Sequence, residues 1–120
     1  MRTAIGTNSN VPLSAAVVSN GFVFVSGQVP RDQAGVVPAG IEAQTRLVLE
    51  NVKAALAQAG SSMDQVVKTT VFLTRVEDFA AMNKVYATYF PNSPPARSTI
   101  RAELMLDALI EIEAIAAVRS

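Results

Sequence analysis

The chain has 120 residues, half of them apolar, and its ten basic side chains balance ten acidic ones. That length suits one domain, residues 1–120, able to bury a core without staples, and the composition excludes disorder. Cys and His are both absent, which excludes disulfides, thiolate nucleophiles, Cys- or His-ligated metals and a Ser-His-Asp triad.

No apolar run approaches the ~20 residues of a membrane span. The start, MRTAIGTNSN, carries no apolar stretch behind Arg2, so no secretory leader is expected and the cytoplasm is the expected compartment. Zero net charge leaves no electrostatic footprint for nucleic acid.

In chain order, a short strand is predicted at Thr3–Gly6, then Ala15–Val18 and Phe22–Ser26. Asn20-Gly21 between the last two is a strong hairpin signal, because both residues tolerate positive φ. Residues Arg31–Gly40 read as loop. Ile41–Ala59 reads as a helix, with Ile41, Thr45, Val48, Val52, Ala55 and Ala59 on one face. Gly60 is placed to end it, and Ser62–Gln65 has capping-box spacing.

Val67–Thr74 alternates and is β-branched, so it reads as a strand. Asp78–Phe90 is a second helix, with Phe79, Met82, Tyr86, Tyr89 and Phe90 as its apolar side and Pro91 at its end. Pro94-Pro95 forces an extended entry into a strand over Ala96–Glu103. Leu104–Ala108 then connects to a last strand, Leu109–Val118. The order β-β-β-α-β-α-β-β predicts an α+β fold, a mixed sheet with two helices packed on one face. Apolar and small residues on the other face, such as Val71, Ile112, Ala114 and Ala116, favour oligomerisation.

The last two strands hold the candidate chemistry. As an antiparallel pair turning about Leu106, they set Arg101 opposite Glu111 and Thr99 opposite Glu113, with Arg97 and Glu113 as diagonal neighbours. One reading is a solvated ladder of charges. The other is a small-acid pocket, in which Arg97 clamps a carboxylate and Glu113 deprotonates a water. Spacing alone does not choose between them.

Ser26-Gly27-Gln28, Asn51-Val52, Val67–Phe72, Asp78–Asn83, Pro95-Ala96-Arg97-Ser98 and Ile110–Ala116 resemble, in order and over nearly the whole chain, the Rid/YjgF (reactive-intermediate deaminase) family. The resemblance implies a chorismate-mutase-like fold and a homotrimer with clefts between subunits. The implied activity is hydrolysis of small enamine or imine acids to a 2-oxo acid and ammonia, with no metal or organic cofactor. It implies a small-molecule carboxylate substrate, no nucleic acid and no membrane.

Residue by residue, Arg97 matches the carboxylate clamp, Glu113 the water-orienting acid, and Gly27 the glycine whose N–H contacts ligand. Ser26 and Asn83 match pocket-lining positions. Thr99 stands where many members carry a Cys that acts through its backbone carbonyl. Leu13 replaces a Tyr, which removes a hydroxyl and a ring from the cleft wall. Other readings stay open: a ligand-binding or regulatory trimer without turnover, deamination of a larger enamine from aromatic catabolism against the apolar wall of Leu13, and RNA cleavage, which zero charge and the lack of His disfavour.

Overall fold

The alternation of apolar and polar residues builds one sheet, and two apolar helical stripes cover one side of it. The structure, a computed structural model, describes residues 2–119. Its elements run β1 (Arg2–Thr7), β2 (Ser14–Ser19), β3 (Phe22–Gln28), α1 (Ile41–Gln58), β4 (Val66–Leu73), α2 (Phe79–Tyr89), β5 (Ala96–Arg101) and β6 (Ile110–Ala117). Short 3₁₀ turns at Met63–Gln65 and Val76–Asp78 precede β4 and α2. No helix among the described residues is long and apolar enough to cross a membrane.

The local signals explain the boundaries. Asn20 and Gly21 take φ of 53° and 83°, the pair of positive values that a tight hairpin between β2 and β3 requires. Past α1, Gly60 (φ 82°) donates to the Ala57 carbonyl, and Ser61 to that of Leu56 at 2.9 Å. These two bonds close a Schellman motif over the orphan carbonyls. At Ser62 the capping box does not form: its hydroxyl bonds the Asp64 carboxylate, and a 3₁₀ turn follows.

Strand order is β1-β2-β3-β6-β4-β5. This corrects the expected hairpin of the last two strands. β5 ends at Arg101 and pairs in parallel with β4, setting Arg97 against Thr69 and Thr99 against Val71. β6 crosses over to lie antiparallel between β3 and β4, where Glu113 faces Thr70 and Glu111 faces Phe72. Two causes combine. The β4-α2-β5 unit is a strand–helix–strand crossover, which favours a parallel neighbour. And β6 carries Ile110, Ile112, Ala114 and Ala116, all buried, as a central strand should.

Those four residues share the helix side with Val23, Val25, Val71 and Leu73. They meet Val48, Leu49, Val52 and Leu56 of α1 and Met82 and Tyr86 of α2. The other side of the sheet is uncovered: Phe22, Phe24 and Ile100 keep over 40% of their surface, and Glu111 and Glu113 stand among them. Val71, Ile112, Ala114 and Ala116, expected on that second face, point instead to the helices.

Candidate functional site

Arg97 sits on the edge strand β5, and its partner Thr69 is fully on the helix side. The guanidinium carbon therefore lies over two rings of α2, 4.9 Å from the centre of Tyr86 and 5.7 Å from that of Phe79. A cation held over ring faces in this way is attracted by their π electrons, and a guanidinium fork can still donate to a carboxylate. Among the described residues no carboxylate lies within ion-pair distance of it. Tyr86 is itself anchored: its hydroxyl and that of Thr69 are 2.7 Å apart, and its ring meets Phe90 at 4.7 Å. Burial pushes the Tyr86 phenol up, against the opposing effects of the Thr69 hydrogen bond and Arg97.

A groove of about 290 Å³ opens beside Arg97, walled by Asn83, Tyr86, Phe90 and Pro95. Asn83 Oδ1 is buried there without a hydrogen-bond partner among the described residues, an acceptor that costs free energy unless a donor reaches it. Thr99, two residues along the same face of β5, lines an adjoining apolar groove with Phe79, Val76 and Leu73. Arg97, Asn83 and Thr99 thus form one cluster on the helix side.

The remaining candidates lie on the other side of the sheet. Glu113 is exposed, opposite Thr70. On its other flank the β3–β6 register shifts between Val25 and Gln28, a bulge that holds Ser26 and Gly27 and takes backbone groups out of the ladder. Ser26 Oγ donates to the Ser14 carbonyl at 2.5 Å, so this hydroxyl ties the bulge to β2. Leu13 is half exposed and lines a shallow groove with Ser14, Ser26 and Val17.

The diagonal approach of Arg97 to Glu113 does not occur within a chain. Thr69 and Thr70 are successive residues of β4 and point to opposite sides; Arg97 pairs with the first and Glu113 with the second. One residue of interest had no place in the predicted pocket. The Glu111 carboxyl rests against Gly27, with Oε2 2.0 Å from where a β-carbon on residue 27 would stand. Burial, and then the charge of Glu113, pushes the Glu111 carboxyl up. Its signal was available in Ile-Glu-Ile-Glu, whose alternation puts both acids on one face.

Comparison with known proteins bears on this arrangement. A family model described as Endoribonuclease L-PSP matches residues 3–118. A RutC family protein of Pyrococcus horikoshii is 49% identical over 108 residues, which cover 88% of this chain and 86% of that protein. A mitochondrial protein of Schizosaccharomyces pombe is 46% identical over 88% of this chain and 87% of its own. Among solved structures, a conserved Rid family protein from Yersinia pestis superposes with a TM-score of 0.92 at 40% identity, covering 98% of this chain and all of that one. TdcF of E. coli, solved with bound serine, gives 0.87 at 43% identity over 98% and 94% of the two chains.

Proposed function

Because the chain belongs to the Rid/YjgF family, we propose that it is a hydrolytic deaminase of small enamine and imine acids, releasing a 2-oxo acid and ammonia. The observation that carries this reading is the guanidinium of Arg97, lying over Tyr86 and Phe79 at the mouth of a groove with no carboxylate in ion-pair distance among the described residues. A fork so placed is matched to a substrate carboxylate by two charge-assisted hydrogen bonds.

The clamp and the acid occupy opposite sides of the sheet, so a cleft that contains both needs two chains. We propose a homotrimer in which Arg97, Asn83 and Thr99 of one subunit face Glu113, Gly27, Ser26 and Leu13 of its neighbour. The uncovered Phe22, Phe24 and Ile100 supply apolar surface for that assembly. In the cleft Arg97 holds the carboxylate, while the Gly27 N–H and the Thr99 carbonyl orient the nitrogen and a water. Glu113 takes a proton from that water as it attacks the imine carbon, and the carbinolamine collapses to the 2-oxo acid. Imine hydrolysis is intrinsically easy, so positioning and fixed polarity account for most of the acceleration.

The matching family model is described as an endoribonuclease, but a chain with no net charge and no His offers RNA neither a basic footprint nor an imidazole pair. The test is hydrolysis of 2-iminopropionate followed by coupled reduction of the pyruvate formed. Arg97→Ala should abolish turnover in a folded protein, and Glu113→Gln should lower kcat more than binding. Wild-type turnover in Arg97→Ala overturns the clamp. Tight binding of 2-oxo acids without any turnover assigns the protein to metabolite sensing instead.

A further inference from the structure

Glu111 is the carboxyl that the reaction above leaves without a role. It lies two residues from Glu113 on the same face of β6, a spacing of about 6.5–7 Å along a strand. Its carboxyl group occupies the side-chain space of Gly27, with Cδ 3.0 Å and Cγ 3.3 Å from the β-carbon position. Residue 27 does not have a positive φ, so glycine is there for room and not for backbone freedom. The seat is half-buried, yet among the described residues no hydrogen bond or ion pair reaches the Glu111 carboxyl. A carboxyl that loses water and gains no donor favours its neutral, proton-carrying form.

The groups facing it are few. Glu113 lies beside it on β6, Phe72 and Thr70 on β4, and Gly27 on the β3 bulge. Lys68, the cation of β4 on this face, is directed to the Thr69 carbonyl and the hydroxyls of Thr70 and Ser98.

We infer that Glu111 is a second catalytic carboxyl, the acid that protonates the departing nitrogen while Glu113 handles the water. The inference rests on the deaminase reading. In the first half-reaction a water proton passes to Glu113, the oxygen bonds to the imine carbon, and the C=N π pair moves onto nitrogen, which takes the proton of Glu111. Glu113 then returns its proton to Glu111 through a bridging water. In the second half-reaction the carbinolamine hydroxyl gives its proton to Glu113 and the C=O bond closes. The C–N pair leaves on nitrogen, which takes the proton of Glu111 and departs as ammonia. A second transfer from Glu113 to Glu111 restores the starting state.

The experiment measures kcat for 2-iminopropionate from about pH 5 to about pH 9 in the wild-type protein, Glu111→Gln, Glu111→Asp, Glu113→Gln and Gly27→Ala. A base and an acid acting together give a bell-shaped profile. Glu111→Gln should lower kcat by about 10²-fold and abolish the alkaline limb, while leaving the affinity for a 2-oxo acid unchanged; Glu111→Asp should restore part of both. Gly27→Ala displaces only the far end of a flexible side chain, so it should fold and lose the same limb.

An unchanged kcat and alkaline limb in Glu111→Gln, with Glu113→Gln inactive, overturn the role of Glu111 and leave the deaminase reading standing. Equal losses in Glu111→Gln and Glu111→Asp with no change of profile shape also overturn it. A wild-type protein that hydrolyses no imine overturns both.

Discussion

The two sides of the sheet solve opposite problems with the same strands. Toward the helices, Val23, Val71, Ile110 and Ile112 are sealed to zero exposure, and Thr69 is matched to Tyr86, while Thr45 Oγ1 and Asn83 Oδ1 find no partner among the described residues. Toward the open side, Phe22 and Phe24 stay 41% and 45% exposed, and among the described residues the Glu111 and Glu113 carboxyls find no ion-pair partner. The first side is covered by the chain's own helices. The second is left uncovered by them, and the proposed cleft lies where the two kinds of surface would meet across chains.

Four measurements break or sharpen that contrast. The largest effect is expected from mixing. Arg97→Ala and Glu113→Gln should each be almost inactive, since truncating one partner of a charge-assisted contact costs about 2–5 kcal/mol, or roughly 30- to 5,000-fold. Refolded together in equal amounts they should recover about a quarter of wild-type activity, the share of clefts that random assortment in a closed ring repairs. Mixtures with no activity contradict a cleft shared between chains.

Next, Ile112→Ala on the sealed side should cost about 2–5 kcal/mol in urea unfolding. Phe24→Ser should leave the fold of the chain nearly intact and shift the assembly toward monomer in sedimentation. Equal unfolding costs for the two would erase the distinction between the faces. A smaller effect is expected from Tyr86→Phe, which strands the buried Thr69 hydroxyl. It should lose about 1–3 kcal/mol of stability while the ring remains to stack on Arg97.

The smallest concerns Glu111. Burial and Glu113 raise its folded-state value above the ordinary 4.5, so below that value both folded and unfolded chains hold the proton and nothing is lost. As pH rises past it the unfolded chain ionises first, and folding is penalised until the folded carboxyl also ionises. Glu111→Gln should therefore gain stability over wild type across that window and hold a constant advantage above it. A pH-independent difference in denaturant midpoints would contradict this.

Much of the fold was legible because local rules and tertiary structure agree. Asn20-Gly21 requires a hairpin, Gly60 closes a helix, and the apolar stripe from Ile41 to Ala55 faces the core. A pairing of β5 with β6 is expected because Leu104–Ala108 is short enough for a hairpin connection; the structure ends β5 at Arg101 and starts β6 at Ile110. Only the accumulated burial of Ile110, Ile112, Ala114 and Ala116 on β6 places that strand in the centre. The same error brought Arg97 beside Glu113. Residue types at the candidate site were readable, but their side of the sheet depends on pairing, and a change of neighbour reverses it. Leu13 and Ser26 group near β2 for a reason no pattern carries, the hydrogen bond from Ser26 to Ser14.

Arg75 and Arg97 show what becomes of one residue type under two arrangements. The Arg75 guanidinium is committed: Nε and Nη2 donate to both oxygens of Asp78 at 3.0 and 3.1 Å, and an arriving anion would have to displace that partner. Arg97 leans on two rings and, among the described residues, has no carboxylate to surrender. Its capture of an acid therefore needs no exchange of ion pairs, and the rate of that capture should be set by diffusion and ionic strength. For the deaminase proposed above, whose substrate would be short-lived, such a vacant receptor saves the step of clearing it.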